Sequence, residues 1–323
     1  IVKVAEQQAN APFPQEFRRN GGIIIKHPMR AKQAEHNGLP SRIKLAQTAA
    51  MRRTLIIRTP SVLYKGGFFL TAYLAITPAA LARRTPAPRL PLVHIAYTID
   101  ENGCLARCRA PEPPRGGMMG LCDRCPAHIR HPDALCRAVV GECRSRGYSG
   151  VLADFDTPCP DDRPAFLEAL ARSLGAQGLP LYCPLALNAA GARLIIGTAL
   201  SGGSLRAMLE EAAARCGAQR LALDLERVRM DFPLPCPTGC GTPLTRSELA
   251  ALRERHPIST YYSRELMANY FTYTENHSTH FVLFDDAGTL RKKAALAQSL
   301  GIQEAFLMYP EVLDIIAELE ETL

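Results

Sequence analysis

The sequence predicts an α/β barrel in which eight parallel strands alternate with helices, with a small hairpin inserted before the last strand. Three observations carry that prediction. Short, nearly continuous apolar runs recur between helical patterns from about residue 67 to 311, as strands buried on both faces require. One of them, Gly147–Asp156, runs straight into Asp154 and Asp156, carboxylates at alternate positions and therefore on one side of a strand. Finally, 323 residues suit one such barrel with insertions.

The elements follow in order. Gly67–Ile76 reads as a buried first strand and Pro78–Arg84 as a short helix after it. The same run, preceded by Met51-Arg52-Arg53 and containing Ala80-Leu81-Ala82, also fits a secretory signal, so both readings stand at this point. Leu92–Ile99 gives the second strand and Met118–Cys122 the third. Pro132–Arg146 is a helix opened by proline and closed at Gly147, Val151–Asp156 the fourth strand, and Asp161–Leu174 the next helix. Leu181–Leu187 supplies the fifth strand and Arg193–Gly197 an extra one. Ser204 caps a helix with Leu205, Met208, Leu209, Ala212 and Cys216 on one face, stopped at Gly217.

Leu221–Glu226 follows as the sixth strand, again ending in acids two apart, Asp224 and Glu226. Thr245 and Glu248 form a capping box for a helix leading to a seventh strand at Ile258–Tyr262. Tyr270–Tyr273 and Thr279–Phe284 flank a hairpin turn, and a helix from Ala287 to Leu300 precedes the last strand, Ala305–Tyr309, and a C-terminal helix. The whole is a (β/α)8 barrel of the TIM type over residues 61–323. Residues 1–60, polar, basic and broken by Gly21-Gly22, Pro28 and Gly38-Leu39-Pro40, read as a poorly ordered extension.

Charge separates the same two parts. Residues 1–65 hold 12 Lys and Arg against 3 Asp and Glu, leaving 26 against 28 in the remaining 258. A basic tail on a nearly neutral domain implies contact with polyanions at most, without a specific nucleic-acid fold. No segment has the uninterrupted length of a membrane span. Eleven cysteines is an odd number in a chain too large to need staples, which points to reduced thiols. Cys104, Cys108, Cys122 and Cys125 have the spacing of a four-thiolate zinc site, the alternative to the expectation of no metal and no cofactor.

In such barrels the C-terminal strand ends carry the chemistry. That rule selects Asp154 and Asp156 as a candidate catalytic pair suited to a glycosidic bond, and Tyr97, Asp224, Glu226, Tyr309 and Glu311 as candidate substrate contacts. The structural alternative for Glu226 is an ion pair with Arg193, Arg227 or Arg229.

Residues 67–311 resemble a divergent family-18 glycoside hydrolase of the chitinase-like, spore peptidoglycan-hydrolase branch. Gly147–Asp156 falls on that family's fourth-strand motif DGxDxDxE, and His280–Gly301 is similar to the block His-x-Val-Trp-Phe-Glu-Asp that precedes its last strand. The resemblance implies a retaining, substrate-assisted hydrolase acting on N-acetylglucosamine-containing glycans of peptidoglycan or chitin type. It puts Asp156 at the position of the general acid, Asp154 at that of the aspartate steadying the N-acetyl group, and Leu221–Asp224 on the family's Met-x-Tyr-Asp. Ser149 and Leu152 replace the motif's first two aspartates, Leu223 its tyrosine, and the chain has no tryptophan. These departures imply an alternative: a catalytically inactive barrel binding a glycan or a protein. Localisation divides likewise, cytoplasmic by its thiols, spore-associated by resemblance, secreted if Met51–Ala82 acts as a signal.

Overall fold

The computed structural model describes residues 70–84, 88–107, 111–125, 128–155, 159–236, 239–256 and 258–323. The extension expected over residues 1–60 lies outside them, as do Cys108 and Asp156. Eight parallel strands form a closed ring. They are β1 (Thr71–Ile76), β2 (Leu92–Ile99), β4 (Met118–Asp123), β5 (Val151–Asp154), β6 (Leu181–Pro184), β7 (Arg193–Gly197), β8 (Leu221–Asp224) and β14 (Glu304–Met308). Closure comes from β1, which pairs with β14 on one side and β2 on the other. The short β3 (Leu105–Arg107) turns back antiparallel along the end of β2.

Helices cover the outside: α1 (Pro78–Ala82), α2 (Pro132–Arg146), α3 (Arg163–Gly175), α4 (Leu205–Cys216), α6 (Ala287–Ser299), α7 (Tyr309–Val312) and α8 (Ile316–Glu320). The expected boundaries of α2 hold for a local reason. Proline fits its first turn, and Gly147 takes the left-handed conformation (φ 70°) that stops it.

The strand count differs from expectation at two places. Arg193–Gly197, read as an extra strand, is the sixth strand of the ring, hydrogen-bonded between β6 and β8. Its crossover from β6 has only eight residues and no α-helix, shorter than the dozen or so a parallel connection usually needs, so the alternation of strand and helix missed it. Leu221–Asp224 is therefore the seventh barrel strand, and the family's sixth-strand motif does not fall on it. The segment expected as the seventh strand is instead β11 (Tyr261–Ser263), outside the ring.

That segment belongs to an insertion between β8 and α6. Strands β9 (Arg229–Leu234), β10 (Thr242–Pro243), β11, β12 (Ala268–Glu275) and β13 (Ser278–Phe284) make an antiparallel sheet in the order β10-β9-β13-β12-β11. The expected hairpin is its β12–β13 pair. Helix α5 (Arg246–Arg255), started by the Thr245–Glu248 capping box, lays Leu249 and Leu252 on Phe271, Val282 and Phe284, while Phe232, Phe281 and Leu283 on the other face join the main core. Both ends of the insertion meet at one point: the Asp285 amide donates to the Val228 carbonyl (2.8 Å), and the Val228 amide to the Asp285 carboxylate (3.0 Å). Beneath them Lys293 Nζ donates to the same carboxylate at 2.7 Å, both side chains fully buried.

The lumen is filled. Ala75, Val93, Met118, Leu152, Tyr182, Ala222 and Phe306 form its cluster, with Tyr73, Ile95, Ile195 and Met308 packed against it. Small residues face large ones: Ile95 occupies the space over Gly120, where an added Cβ would meet it at 2.4 Å. At the N-terminal end Phe306 stacks on Tyr73 (5.2 Å) and meets Tyr182 edge-on (5.0 Å). There the Tyr182 hydroxyl donates to Glu304 (2.8 Å), and Arg193 pairs with Glu304. This closes the bottom of the barrel and leaves chemistry to the opposite mouth.

Candidate active site

Strand alternation decides which side chains reach that mouth. Leu152 and Ala222 lie in the lumen cluster, so Asp154 and Asp224, two residues on, point the same way at the C-terminal ends of the fourth and seventh barrel strands. Cys122 pairs in register with Asp154 and Gly197 with Asp224, each on the lumen side by the same count from Met118 and Ile195. Met308 closes the circle from the last strand.

Glu226 joins this group through Gly197. A Cβ built on Gly197 would stand 2.6 Å from Glu226 Oε2, so the carboxylate fills the volume that any side chain on the sixth strand would take. The backbone around it is pinned on both sides. The Leu225 amide donates to the Phe306 carbonyl (2.9 Å), the Arg227 amide to Glu311 Oε2 (3.2 Å), and the Val228 amide to Asp285. The Arg227 guanidinium adds bonds to the Asp285 carbonyl (3.1 Å), the Glu311 carbonyl (3.0 Å) and Asp314 (2.5 Å). Burial works to raise the Asp314 carboxyl, but Arg227 outweighs it and holds it below the usual carboxylate range. Glu311 thus braces the segment that carries Glu226. Of the arginines considered for Glu226, Arg193 lies at the far end of the lumen on Glu304.

The loop after the fourth strand is anchored from its far side. Arg163, wholly buried, donates to Asp123 (Nε to Oδ2, 2.5 Å), Asp162 (2.6 Å) and the Cys125 carbonyl (2.8 Å). The Asp162 carboxylate also accepts the Ile129 amide at 2.6 Å. Burial favours the neutral acid there, yet the Ile129 amide and the Arg163 charge prevail and depress its pKa. Asp156, the expected acid, lies outside the described residues.

Two expected aromatic contacts are turned elsewhere. The register of β2 against β4 shifts between Ile95 and Tyr97, a bulge that leaves Ala96 and Tyr97 both facing the helices. Tyr97 is 2% exposed, and its hydroxyl donates to Glu142 of α2 (2.9 Å) and meets that of Tyr148 (2.9 Å). Thr98, in register with Cys122, takes the lumen side instead. Tyr309 begins α7, packs against the outer core and lies under the Arg84 guanidinium, 5.6 Å from its ring centroid. Alternation along β14 gives the mouth to Met308.

Gly197, Thr98 and Met308 are not among the candidate residues the sequence offers, and Cys122 is one only as a thiolate of the zinc alternative. Gly197 was legible only through the strand that holds it, and Thr98 only through the bulge. For the zinc alternative, Cys104 is exposed, Cys125 buried in the outer core and Cys122 at the mouth, and no group of three or more His, Cys, Asp or Glu suited to a metal gathers among the described residues. No helix among them is long and apolar enough to cross a membrane.

No family model and no curated protein matches the sequence. Solved structures do match the fold. A chitinase from Chromobacterium violaceum superposes with a TM-score of 0.59 at 20% identity, covering 79% of this chain and 99% of its own. The spore cortex-lytic enzyme SleL of Bacillus megaterium gives 0.57 at 16% identity over 80% of this chain and 75% of its own. A class V chitinase from Nicotiana tobaccum gives 0.55 at 11% identity, covering 80% and 99%. The fold is the barrel these glycan-acting enzymes share.

Proposed function

We propose that the chain is a glycoside hydrolase cleaving β-linked N-acetylglucosamine-containing glycans of the peptidoglycan or chitin type, with retention and with the substrate's own acetamido group as nucleophile. One observation carries the reading. Asp154, Asp224 and Glu226 converge on the C-terminal mouth of a closed eight-stranded barrel whose solved likenesses are chitinases and a spore cortex-lytic enzyme. The mouth is where such barrels react.

In this mechanism the acetamido oxygen attacks C1 as the glycosidic bond breaks, and water then opens the cyclic intermediate with its configuration restored. Asp154, at the position that steadies the acetamido group in the resembling family, would orient and polarise it. Asp224 would hold the sugar from the opposite wall, and Asp156 follows at the family's acid position. A glycan of the spore or the cell wall is the partner this implies, and spore association the matching location.

A second reading has its own support. At position 156 an aspartate replaces the family's glutamate, and withdrawal of a proton by more than an ångström costs about 100-fold in rate. A barrel so altered would bind the glycan without turning it over. Mass spectrometry of peptidoglycan and chito-oligosaccharide digests distinguishes the two. The hydrolase reading expects products from the wild type and at least about 100-fold less from Asp154→Asn. Binding without products from the wild type would establish the binding barrel.

A further inference from the structure

We propose that Glu226, on the seventh barrel strand, is the acid–base group of the site, in place of a carboxyl from the fourth strand. The inference rests on the hydrolase reading and names the residue that moves the proton. Three features single it out. Its carboxylate lies inside the mouth, over the bare backbone of Gly197, in space that exists only because the sixth strand carries no side chain there. Its neighbours Leu225, Arg227 and Val228 are each fixed by a hydrogen bond from the backbone amide, to the Phe306 carbonyl and to the Glu311 and Asp285 carboxylates, so the side chain is presented from a held frame. That frame is braced by three buried or half-buried charged groups, Arg227 and the Asp285–Lys293 pair, a concentration of polar bonding that packing of a surface loop would not require.

Glutamate also has the methylene that Asp156 lacks. In the first step the Glu226 carboxyl gives its proton to the departing glycosidic oxygen while the acetamido oxygen bonds to C1. In the second its carboxylate takes a proton from the water that attacks C1, and the acid is restored. Gly197 is then a positioning residue. It touches no substrate, but its missing side chain is the seat of the acid.

The test compares wild type, Glu226→Gln, Gly197→Ala and Asp156→Ala on two substrates: a chito-oligosaccharide, whose leaving sugar needs a proton, and a dinitrophenyl N-acetyl-chito-oligosaccharide, whose leaving phenolate does not. Glu226→Gln should lose about 100-fold or more in kcat/KM on the first and stay within about 10-fold on the second, because kcat/KM reports the bond-breaking step and not the water step that both substrates share. Gly197→Ala, whose Cβ only displaces a flexible carboxylate, should fold normally and lose about 10-fold or more on the first substrate alone. Asp156→Ala should lose less than Glu226→Gln.

Equal losses of kcat/KM in Glu226→Gln on both substrates would overturn the acid role, and so would no loss on either; in both cases the hydrolase reading stands. A wild type that cleaves neither substrate would instead remove the hydrolase reading, and this inference with it.

Discussion

Replacing Lys293 by methionine should be among the most damaging single changes available in this barrel. The Asp285 carboxylate accepts three donors: the Val228 amide at 3.0 Å, the Thr289 hydroxyl at 2.7 Å and Lys293 Nζ at 2.7 Å. Asp285 is 1% exposed and Lys293 0%, so neither charge has water to fall back on. Methionine fills the volume of the lysine stem but leaves a buried carboxylate with two neutral donors. Breaking a buried pair from one side costs about 3–5 kcal/mol, much of it the penalty of the stranded charge. The double variant Asp285→Asn, Lys293→Met removes that charge while keeping an acceptor for Val228, and should recover at least about half of the loss. Urea unfolding followed by circular dichroism measures both, since the chain has no tryptophan to report by fluorescence. A Lys293→Met protein within about 1 kcal/mol of wild type would refute the reasoning, because it would mean that the pair is solvated or that the carboxylate relaxes without it.

Two further outcomes follow from the core. Phe306→Ala, which removes the ring wedged between Tyr73 and Tyr182, should destabilise the barrel by about 3–5 kcal/mol in the same assay. His94 is buried on β2, and burial lowers its pKa despite the bond between Nε2 and the Gly116 carbonyl at 3.1 Å. The unfolded chain therefore takes up that proton at higher pH than the folded one, so the contribution is complete above the unfolded value of about 6.5 and lost as pH falls below it. Stability measured between pH 7 and pH 5 should decline more steeply for wild type than for His94→Gln.

How much of this was legible in the sequence depended on whether local rules governed it. Pro132 and Gly147 bounded α2, and Thr245 with Glu248 started α5, because caps are written within four residues. Strand alternation marks the acids at 154, 224 and 226, and the family resemblance adds roles for the first two. The sixth strand escapes the sequence because its crossover carries no helix, and that moved Leu221–Asp224 from seventh place to sixth and let Ile258–Tyr262 stand in for the missing strand. Tyr97 was misread because a one-residue bulge is a property of the pairing between two strands, invisible in either alone. Gly197 illustrates the limit most clearly. In the sequence it is a glycine at a strand end, and only the closed ring brings Glu226, 29 positions later, into the space above it.

The meeting of Val228 and Asp285 has a consequence for how such a protein can change. Because the insertion leaves and returns through adjacent, mutually bonded residues, its interior length is nearly invisible to the barrel: lengthening a closed loop adds only a slowly growing entropic term. The same two residues form the hinge plate on which Glu226 is mounted. Strands could be added to or trimmed from the antiparallel sheet while the mouth keeps its shape, so the wall that meets a polymer is free to diverge independently of the residues that would cut it.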